Sequence, residues 1–187
     1  MRLPILLIST LISISSFADT KELWTIMPDS ITACSKSDVM SVNDSTDVLT
    51  VEVSSTYTIQ AVTLSTKENE EKVFGVIKTF SAPEKESELA IYDSAWTLIN
   101  EKRFSLSDIL GEKASTNIGL YFDPLLISAL FTDSCRIKVQ IADFMLSDDE
   151  KKEIAKSIGI NYDTENTNSS LQLTRTLKWD GANFVVE

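Results

Sequence analysis

The amino-acid sequence predicts a single α+β domain, built mainly from an antiparallel sheet of about seven strands with two to four short helices. Apolar and polar residues alternate with a period of two in several segments, most cleanly in residues 135–141. Short polar links join most neighbouring strand segments, which favours antiparallel pairing. Helical patterns are short, and two of them begin with capping-box spacing.

The first 18 residues have the three parts of a cleavable secretory signal peptide. Arg2 supplies the positive charge, residues 5–14 form the apolar stretch, and Ser16-Phe17-Ala18 is a small-x-small cleavage site. A membrane-spanning helix needs about 20 apolar residues, and this run is shorter and contains serine. We therefore expect cleavage before Asp19, a mature domain of residues 19–187, and a location in the periplasm or outside the cell.

Two further expectations concern the membrane. No cysteine lies near the predicted cleavage site, so we expect no lipid anchor there. No other segment is long and apolar enough to cross a bilayer, so the mature chain is predicted to have no transmembrane helix.

The predicted mature chain begins with a short helix over residues 21–27. Leu23, Ile26 and Met27 share one face of this helix, and Pro28 ends it. Residues 29–47 are rich in Ser, Asp and Asn and are predicted to be a loop, with one helical turn around residues 37–40.

The centre of the chain contains the clearest strand patterns. Four strands are predicted, at residues 49–53, 57–64, 73–77 and 89–92. The first two are separated by Ser54-Ser55-Thr56 and are expected to pair as a hairpin. The third is nearly all apolar, which indicates a central strand covered on both faces. Residues 82–85 are predicted to form a turn, and Trp96 is expected to pack on the same core.

Capping signals predict two helices in the second half. Ser105 and Asp108 begin a helix over residues 105–110, and Ser147 and Glu150 begin one that ends at Gly159.

Residues 117–131 allow two interpretations. Asp123-Pro124 is a suitable helix start, after which Leu125, Leu126, Ala129 and Leu130 would face the core. The same residues could be extended, and the short helix is the favoured prediction.

The last strands are predicted at residues 135–141, 171–179 and 182–186. Asp180-Gly181 is a strong signal for a two-residue hairpin turn between the last two of these strands.

The chain is acidic, with a formal net charge of -11. Removal of Arg2 with the signal peptide would make the net charge more negative. Phosphate binding needs clustered Lys and Arg, and the sequence has no basic patch. We therefore expect no nucleic-acid partner and no binding to anionic lipid.

The two cysteines, Cys34 and Cys135, are far apart in the sequence. An exported domain meets an oxidising compartment, where they could form one disulfide that closes a long loop. The alternative is two small buried hydrophobic residues.

The absence of histidine excludes several kinds of active site. A Ser-His-Asp or Cys-His arrangement is impossible, and the commonest zinc ligand is missing. The cysteines do not form C-x-x-C, and no glycine-rich phosphate-binding motif occurs. We therefore predict no metal site, no cofactor and no identifiable catalytic residue.

Two classes of function are left open. The first is a non-enzymatic module that binds a partner protein or a polymer through a sheet face or edge, for which Trp24 and Trp179 are the candidate surface residues. The alternative, that they are core residues, is the favoured interpretation for each, because Trp is highly buried on average. The second is a carboxylate-based hydrolase acting on a glycan, which needs two facing carboxyl groups about 5–10 Å apart in a cleft.

Several motifs together resemble a family of secreted Bacteroidales proteins, the domain-of-unknown-function family 3256. The first is Leu23-Trp24-Thr25-Ile26-Met27-Pro28-Asp29-Ser30-Ile31, which resembles the family's opening helix and Met-Pro-Asp-Ser step. The others follow in the family's order, at residues 54–60, 73–83, 90–96 and 177–185.

The resemblance implies a bacterial envelope protein with no assigned activity, and it supplies no catalytic residue. Glu84-Lys85-Glu86 stands where the family is expected to have a turn that contains a cysteine. A disulfide of the family therefore cannot be carried over to this chain.

Overall fold

The computed structural model describes residues 19–44, 46–67, 71–81, 85–110, 127–141, 147–157 and 174–187. These residues form ten strands in two antiparallel sheets, together with four α-helices. The predicted α+β class with mainly antiparallel strands is confirmed, and the described strands outnumber the seven expected.

The first sheet has six strands that are adjacent in the sheet in the order in which they occur in the chain. Short connections join consecutive strands, so each strand pairs with the next one. Its strands are β1 (Ser41–Asn43), β2 (Leu49–Ser54), β3 (Tyr57–Ser65), β4 (Lys72–Ser81), β5 (Lys85–Tyr92) and β6 (Leu98–Arg103). The predicted hairpin of residues 49–53 with 57–64 is confirmed by the pairing of β2 with β3.

The second sheet has four strands in the order β10-β9-β8-β7. They are β7 (Ile127–Asp133), β8 (Arg136–Ile141), β9 (Thr174–Trp179) and β10 (Phe184–Val186). In β8 the predicted alternation is observed, because Ile137, Val139 and Ile141 are buried and the residues between them are partly exposed.

The helices are short. They are α1 (Thr20–Ile26), α2 (Asp29–Thr32), α3 (Leu106–Leu110) and α4 (Asp148–Ser157), and a 3-10 turn spans Lys36–Asp38. Both capping boxes are confirmed. The amide N–H of Ser105 donates to the Asp108 carboxylate over 2.8 Å, and that of Ser147 donates to Glu150 over 2.6 Å. These bonds satisfy backbone donors that have no partner within the helix.

The face of α1 differs from the prediction in one residue. Leu23 and Met27 are buried, whereas Ile26 is 44% exposed. Residues four apart lie one above the other on a helix, so Leu23 and Met27 both face the sheet, with the half-buried Trp24 beside them.

The six-stranded sheet is covered on both faces, as predicted for residues 73–77. Phe74 and Val76 of β4 face a cluster that contains Leu23 and Met27 of the N-terminal helices. Val73 and Ile77 face the opposite cluster, which contains the inner residues of the second sheet. Every residue from Val73 to Ile77 is therefore buried. The N-terminal helices cover one face of the six-stranded sheet, and the four-stranded sheet covers the other, where α3 and α4 also contribute buried residues.

Polar side chains of the first sheet bind the backbone of β7. The Ser87 hydroxyl accepts the amide N–H of Ala129 over 3.0 Å, and the side-chain carbonyl of Gln60 accepts that of Phe131 over 2.9 Å. Two N–H groups of this edge strand are thereby paired with the first sheet, and the two sheets are held in one register.

Several further predictions were wrong. Residues 127–133 form strand β7, so Ala129 is buried on a strand and Leu130 points outward, instead of both facing the core from a helix. Strand β6 was not predicted at all, and α2 and β1 lie in residues 29–47, which were predicted to be a loop. The last hairpin has a four-residue turn, because Trp179 pairs with Phe184.

Some predictions fall outside the described residues. They concern the signal peptide over residues 1–18, the turn at 82–84, the end of α3 at Gly111, the start of a helix at 123–126, the end of α4 at Gly159, and the first part of the strand at 171–173. Within the described chain, no helix is long and apolar enough to cross a membrane.

Candidate functional site

A pocket of about 420 Å³ lies where the end of the six-stranded sheet meets the β9–β10 turn. We call it the junction pocket. Nine residues line it: Thr66, Lys67, Glu71, Val73, Ile91, Ile99, Trp179, Gly181 and Ala182. Its volume lies in the range of roughly 300–1,000 Å³ that is typical of small-ligand sites.

The apolar wall of the pocket comes from both sheets. Val73 and Ile91 belong to the central strands and face the second sheet, and Trp179 approaches from β9. Ile99 completes the wall from the edge strand β6. Four apolar side chains therefore surround a space that is open to solvent on one side.

A β-bulge explains the position of Ile99. Tyr92 pairs with Leu98 and Ile91 pairs with Asn100, so Ile99 is the extra residue between two ladder positions. A bulge changes the direction of a side chain relative to the regular pleat. Ile99 is 58% exposed and lines the pocket at the same time, so it is available to a ligand.

Trp179 is held in place by a hydrogen bond between the two sheets. Its indole Nε1–H donates to the carbonyl oxygen of Ser65 over 2.7 Å, and its ring lies 5.2 Å from the ring of Phe184. The amide of Lys67 also donates to the carbonyl of Gly181, over 3.3 Å. The β9–β10 turn is thus attached to the end of β3, and the pocket wall is fixed by the same contacts.

Glycine is required at position 181 for two reasons. Its φ is +98°, in a region that L side chains rarely adopt. A Cβ there would lie 2.3 Å from Cγ of Lys67. The close approach of the turn to β3 therefore depends on the missing side chain.

The charges at the pocket mouth are partly neutralised. Nζ of Lys67 lies 3.7 Å from Oδ2 of Asp180. The amides of Asn183 and Ala182, followed by Lys67, lower the pKa of Asp180, which keeps its carboxylate charged. Glu71 has no ion-pair partner among the described residues and is the one acidic side chain of the pocket lining.

The lining of the pocket is poor in carboxyl groups. Glu71 is the single carboxylate among the nine lining residues, so they contain no facing pair of carboxyl groups for glycoside cleavage. Within the described ranges, no group of three or more acidic or cysteine side chains is placed to hold a metal ion.

The two tryptophans predicted as surface residues lie in different places. Trp179 lines the junction pocket. Trp24 is half-buried on α1, on the opposite side of the six-stranded sheet, and Nζ of Lys36 lies 5.2 Å from its ring centroid. Trp96 packs on the core, as expected, with its ring 4.6 Å from that of Phe74.

The cysteines are half-buried free thiols in the structure. Cys34 lies near Tyr57 of β3, whereas Cys135 lies in the β7–β8 turn of the other sheet, beside Asp133 and Arg136. Burial, followed by Asp133, raises the pKa of the Cys135 thiol. The disulfide between them stays a prediction.

Sequence reasoning missed Ile99 as a site residue. Its signal was the adjacent pair Leu98-Ile99, which breaks the alternation of a strand that is otherwise polar. Two neighbouring apolar residues on an edge strand are a sign of a bulge, and both are exposed here.

Comparison with known families confirms the resemblance inferred from the sequence. Residues 34–117 match the profile of a family described as "Protein of unknown function (DUF3256)". The match extends from the residues before β1 to beyond α3, so it includes the whole six-stranded sheet. A search of curated proteins gave no match.

The fold is also similar to that of a solved structure, a domain of an uncharacterized protein from Porphyromonas gingivalis W83. The alignment covers 91% of this chain and 98% of the other, with a TM-score of 0.58 and 12% sequence identity. At this level of identity the similarity concerns the fold alone.

Proposed function

We propose, from the match of residues 34–117 to this family of unknown function and from the geometry of the junction pocket, that the chain is an exported envelope protein with a non-enzymatic binding role. In this proposal the junction pocket holds an apolar group of a partner protein or polymer. Export is supported by the signal-peptide pattern of residues 1–18.

The observation that carries the binding role concerns Ile99, whose side chain is exposed to solvent and also lines the pocket. A large apolar side chain that is 58% exposed and also lines a pocket of about 420 Å³ loses much apolar surface when a ligand arrives. Burial of apolar surface stabilises a complex by roughly 25 cal/mol per Å² before the costs of association.

The binding role can be tested by retention of envelope components on the immobilised protein. The chain from Asp19 is compared with an Ile99→Glu variant, in which the pocket wall is charged. Val186→Glu is the matched control, because Val186 is also an exposed apolar residue of an edge strand and lies outside the pocket. Substitutions at such exposed positions leave the fold intact.

We expect the same envelope component to be retained by the unmodified chain and by Val186→Glu, and to be lost with Ile99→Glu. Equal retention by all three chains would show that the pocket is not the binding site.

A further inference from the structure

We infer that the free edge of strand β10 pairs with β10 of a second copy of this chain, in an antiparallel contact centred on Val185. The four-stranded sheets of the two copies would thereby join into one continuous sheet. This contact is independent of the junction pocket and of the proposed binding role. Three features of β10 support it: its backbone groups, its exposed side chains and the charges beside it.

Two residues of β10 direct their backbone groups away from β9. The amide N–H of Glu187 donates to the carbonyl of Thr176 across the β9–β10 ladder over 3.1 Å. Hydrogen-bonded and non-hydrogen-bonded pairs alternate along an antiparallel ladder, so Val185 is also bonded to β9, whereas Phe184 and Val186 are not. The amide and carbonyl groups of Phe184 and Val186 therefore point to the open side of β10, where the described residues offer them no partner.

The edges of β6 and β7 carry features that prevent such pairing. On β7, the N–H groups of Ala129 and Phe131 donate to side chains of the first sheet. On β6, a bulge and the charged residues 101–103 disfavour association with another strand. Of the two remaining edges, β1 and β10, only β10 consists entirely of apolar residues. An uncharged free edge is a template for another strand.

The side chains of β10 are self-complementary when Val185 lies on a two-fold axis. In this register Val185 faces Val185 of the second copy, and Phe184 faces Val186 of the second copy at both ends. Val185 is 45% and Val186 is 43% exposed, so both lose apolar surface on pairing. The outward groups of Phe184 meet those of Val186, which gives about four backbone hydrogen bonds between the copies.

The residues beside β10 favour this register over its neighbours. With Val185 on the axis, the two Glu187 carboxylates lie at opposite ends of the contact, and each is bound by Arg136 of its own chain over 3.2 Å. Moving the axis by one residue in either direction would set the apolar Val185 against Asn183 or Glu187 of the second copy. Only the register centred on Val185 therefore pairs apolar residues with apolar residues along the whole strand.

The dimer is expected to be weak and to depend on salt. Strand β10 has three residues, so the contact belongs to the small class of interfaces, below roughly 1,200 Å², and association is expected at about 0.1–1 mM protein. Each copy has a formal net charge of -11, which opposes association. Because salt screens this repulsion, the dimer should form more readily at high ionic strength than at low.

Disulfide trapping tests the register directly. Val185→Cys is introduced into the chain from Asp19, in which Cys34 and Cys135 are replaced by Ala. Opposite residues of a non-hydrogen-bonded pair have Cα atoms about 4.5 Å apart, within the range of about 4.4–6.8 Å that a disulfide spans. Val186→Cys is the matched control, because in this register Val186 lies opposite a different residue, more than about 7 Å from its own equivalent.

We expect mild oxidation at about 0.5 mM protein to link most of the Val185→Cys chains into dimers and few of the Val186→Cys chains. Sedimentation equilibrium of the unmodified chain from Asp19 should show a reversible dimer. Val185→Lys should weaken it by about tenfold or more, because it sets two ammonium groups opposite each other. Leu130→Lys, at an exposed position on β7, should leave it unchanged.

Hydrogen exchange of the unmodified chain gives a readout that needs no variant. The amides of Phe184 and Val186 should be protected only at high protein concentration, whereas that of Val185, bonded to β9, should be protected at every concentration.

Two results would overturn the inference. One is a chain that stays monomeric up to about 1 mM, with the amides of Phe184 and Val186 exchanging freely throughout. The other is a dimer that forms equally well with Val185→Lys, which would place the contact elsewhere. Neither result affects the retention test at Ile99, so this inference and the proposed function can fail separately.

Discussion

Thr63 and Thr79 are two threonines of the six-stranded sheet with opposite hydrogen-bonding states. Thr63 is buried on β3, and its hydroxyl has no hydrogen-bond partner among the residues that the structure describes. The hydroxyl of Thr79 on β4 lies 2.8 Å from that of Ser87, the residue that holds the backbone of β7. A buried hydroxyl without a partner lowers stability, whereas a paired one does not.

We therefore predict opposite effects for the same substitution. Thr63→Val should raise the free energy of unfolding by about 1 kcal/mol, and Thr79→Val should lower it by about 1 kcal/mol. Urea denaturation of both variants measures the difference. Destabilisation of similar size in both would contradict the assignment of Thr63 as unpaired.

Tyr57 gives a prediction about alkaline pH. Burial, followed by the neighbouring groups Tyr92, Cys34 and Glu88, raises the pKa of Tyr57 to about 12 from the model-compound value of 10.0. The folded chain therefore holds the phenolic proton more tightly than the unfolded chain does.

The stability linked to this proton is complete below pH 10 and is lost as the pH rises towards 12. Unfolding free energies measured between these two values should fall with pH, and Tyr57→Phe should make the decline shallower. The same slope in both proteins would show that Tyr57 does not cause it.

At the scale of elements, the attachment of the β9–β10 turn to β3 depends on Gly181. We predict that Gly181→Ala lowers the free energy of unfolding by about 1–3 kcal/mol, because it adds both a strained φ and a clash with Lys67. The neighbouring exposed substitution Ala182→Ser is the control and should change it by less than about 0.5 kcal/mol. Thermal or urea unfolding distinguishes the two, and equal effects would contradict this role of Gly181.

The elements differ in how far the sequence could predict them. Strands β2 to β5 and β8 were predictable because their apolar residues follow the pattern of a covered sheet. In β7, Ile127, Ala129 and Phe131 alternate in the same way. The Asp-Pro helix start at 123–124 and the exposed Leu130 obscured this pattern, and the contacts that pair its backbone come from residues more than 40 positions away.

The residues of the candidate site also differ in how far the sequence could predict them. Trp179 was identifiable, because an aromatic residue before a turn is a visible signal, and Val73 and Ile91 were placed correctly on strands. The pocket itself depends on the contact between two sheet ends and on a bulge at Ile99. The contact between the sheet ends is not encoded in a local pattern, since it joins residues far apart in the sequence, and the pair Leu98-Ile99 was a local sign of the bulge alone.

At the scale of the whole molecule, the N-terminus of the mature chain can be predicted from two independent features. Cleavage after Ala18 would leave Asp19 as the first residue, and Asp19 is the N-cap of α1, where it accepts the amide N–H of Lys21. We predict that a chain beginning at Asp19 unfolds with the same free energy as the full chain.

A chain beginning at Trp24 should be less stable by about 2–5 kcal/mol, since it loses the buried side chain of Leu23 and the first turn of α1. N-terminal sequencing of protein exported from native cells should begin at Asp19. Exported protein that still begins at Met1 would contradict the signal-peptide prediction.

The central claim is that the junction pocket is the binding site, and site-specific photo-crosslinking in native cells tests it most directly. A benzophenone amino acid is introduced at Ile99, in the pocket, and in a second strain at Leu130, an exposed apolar residue outside it. We predict that irradiation produces one discrete cross-linked envelope component from position 99 and none from position 130. The same component captured from position 130, with none from position 99, would contradict the account.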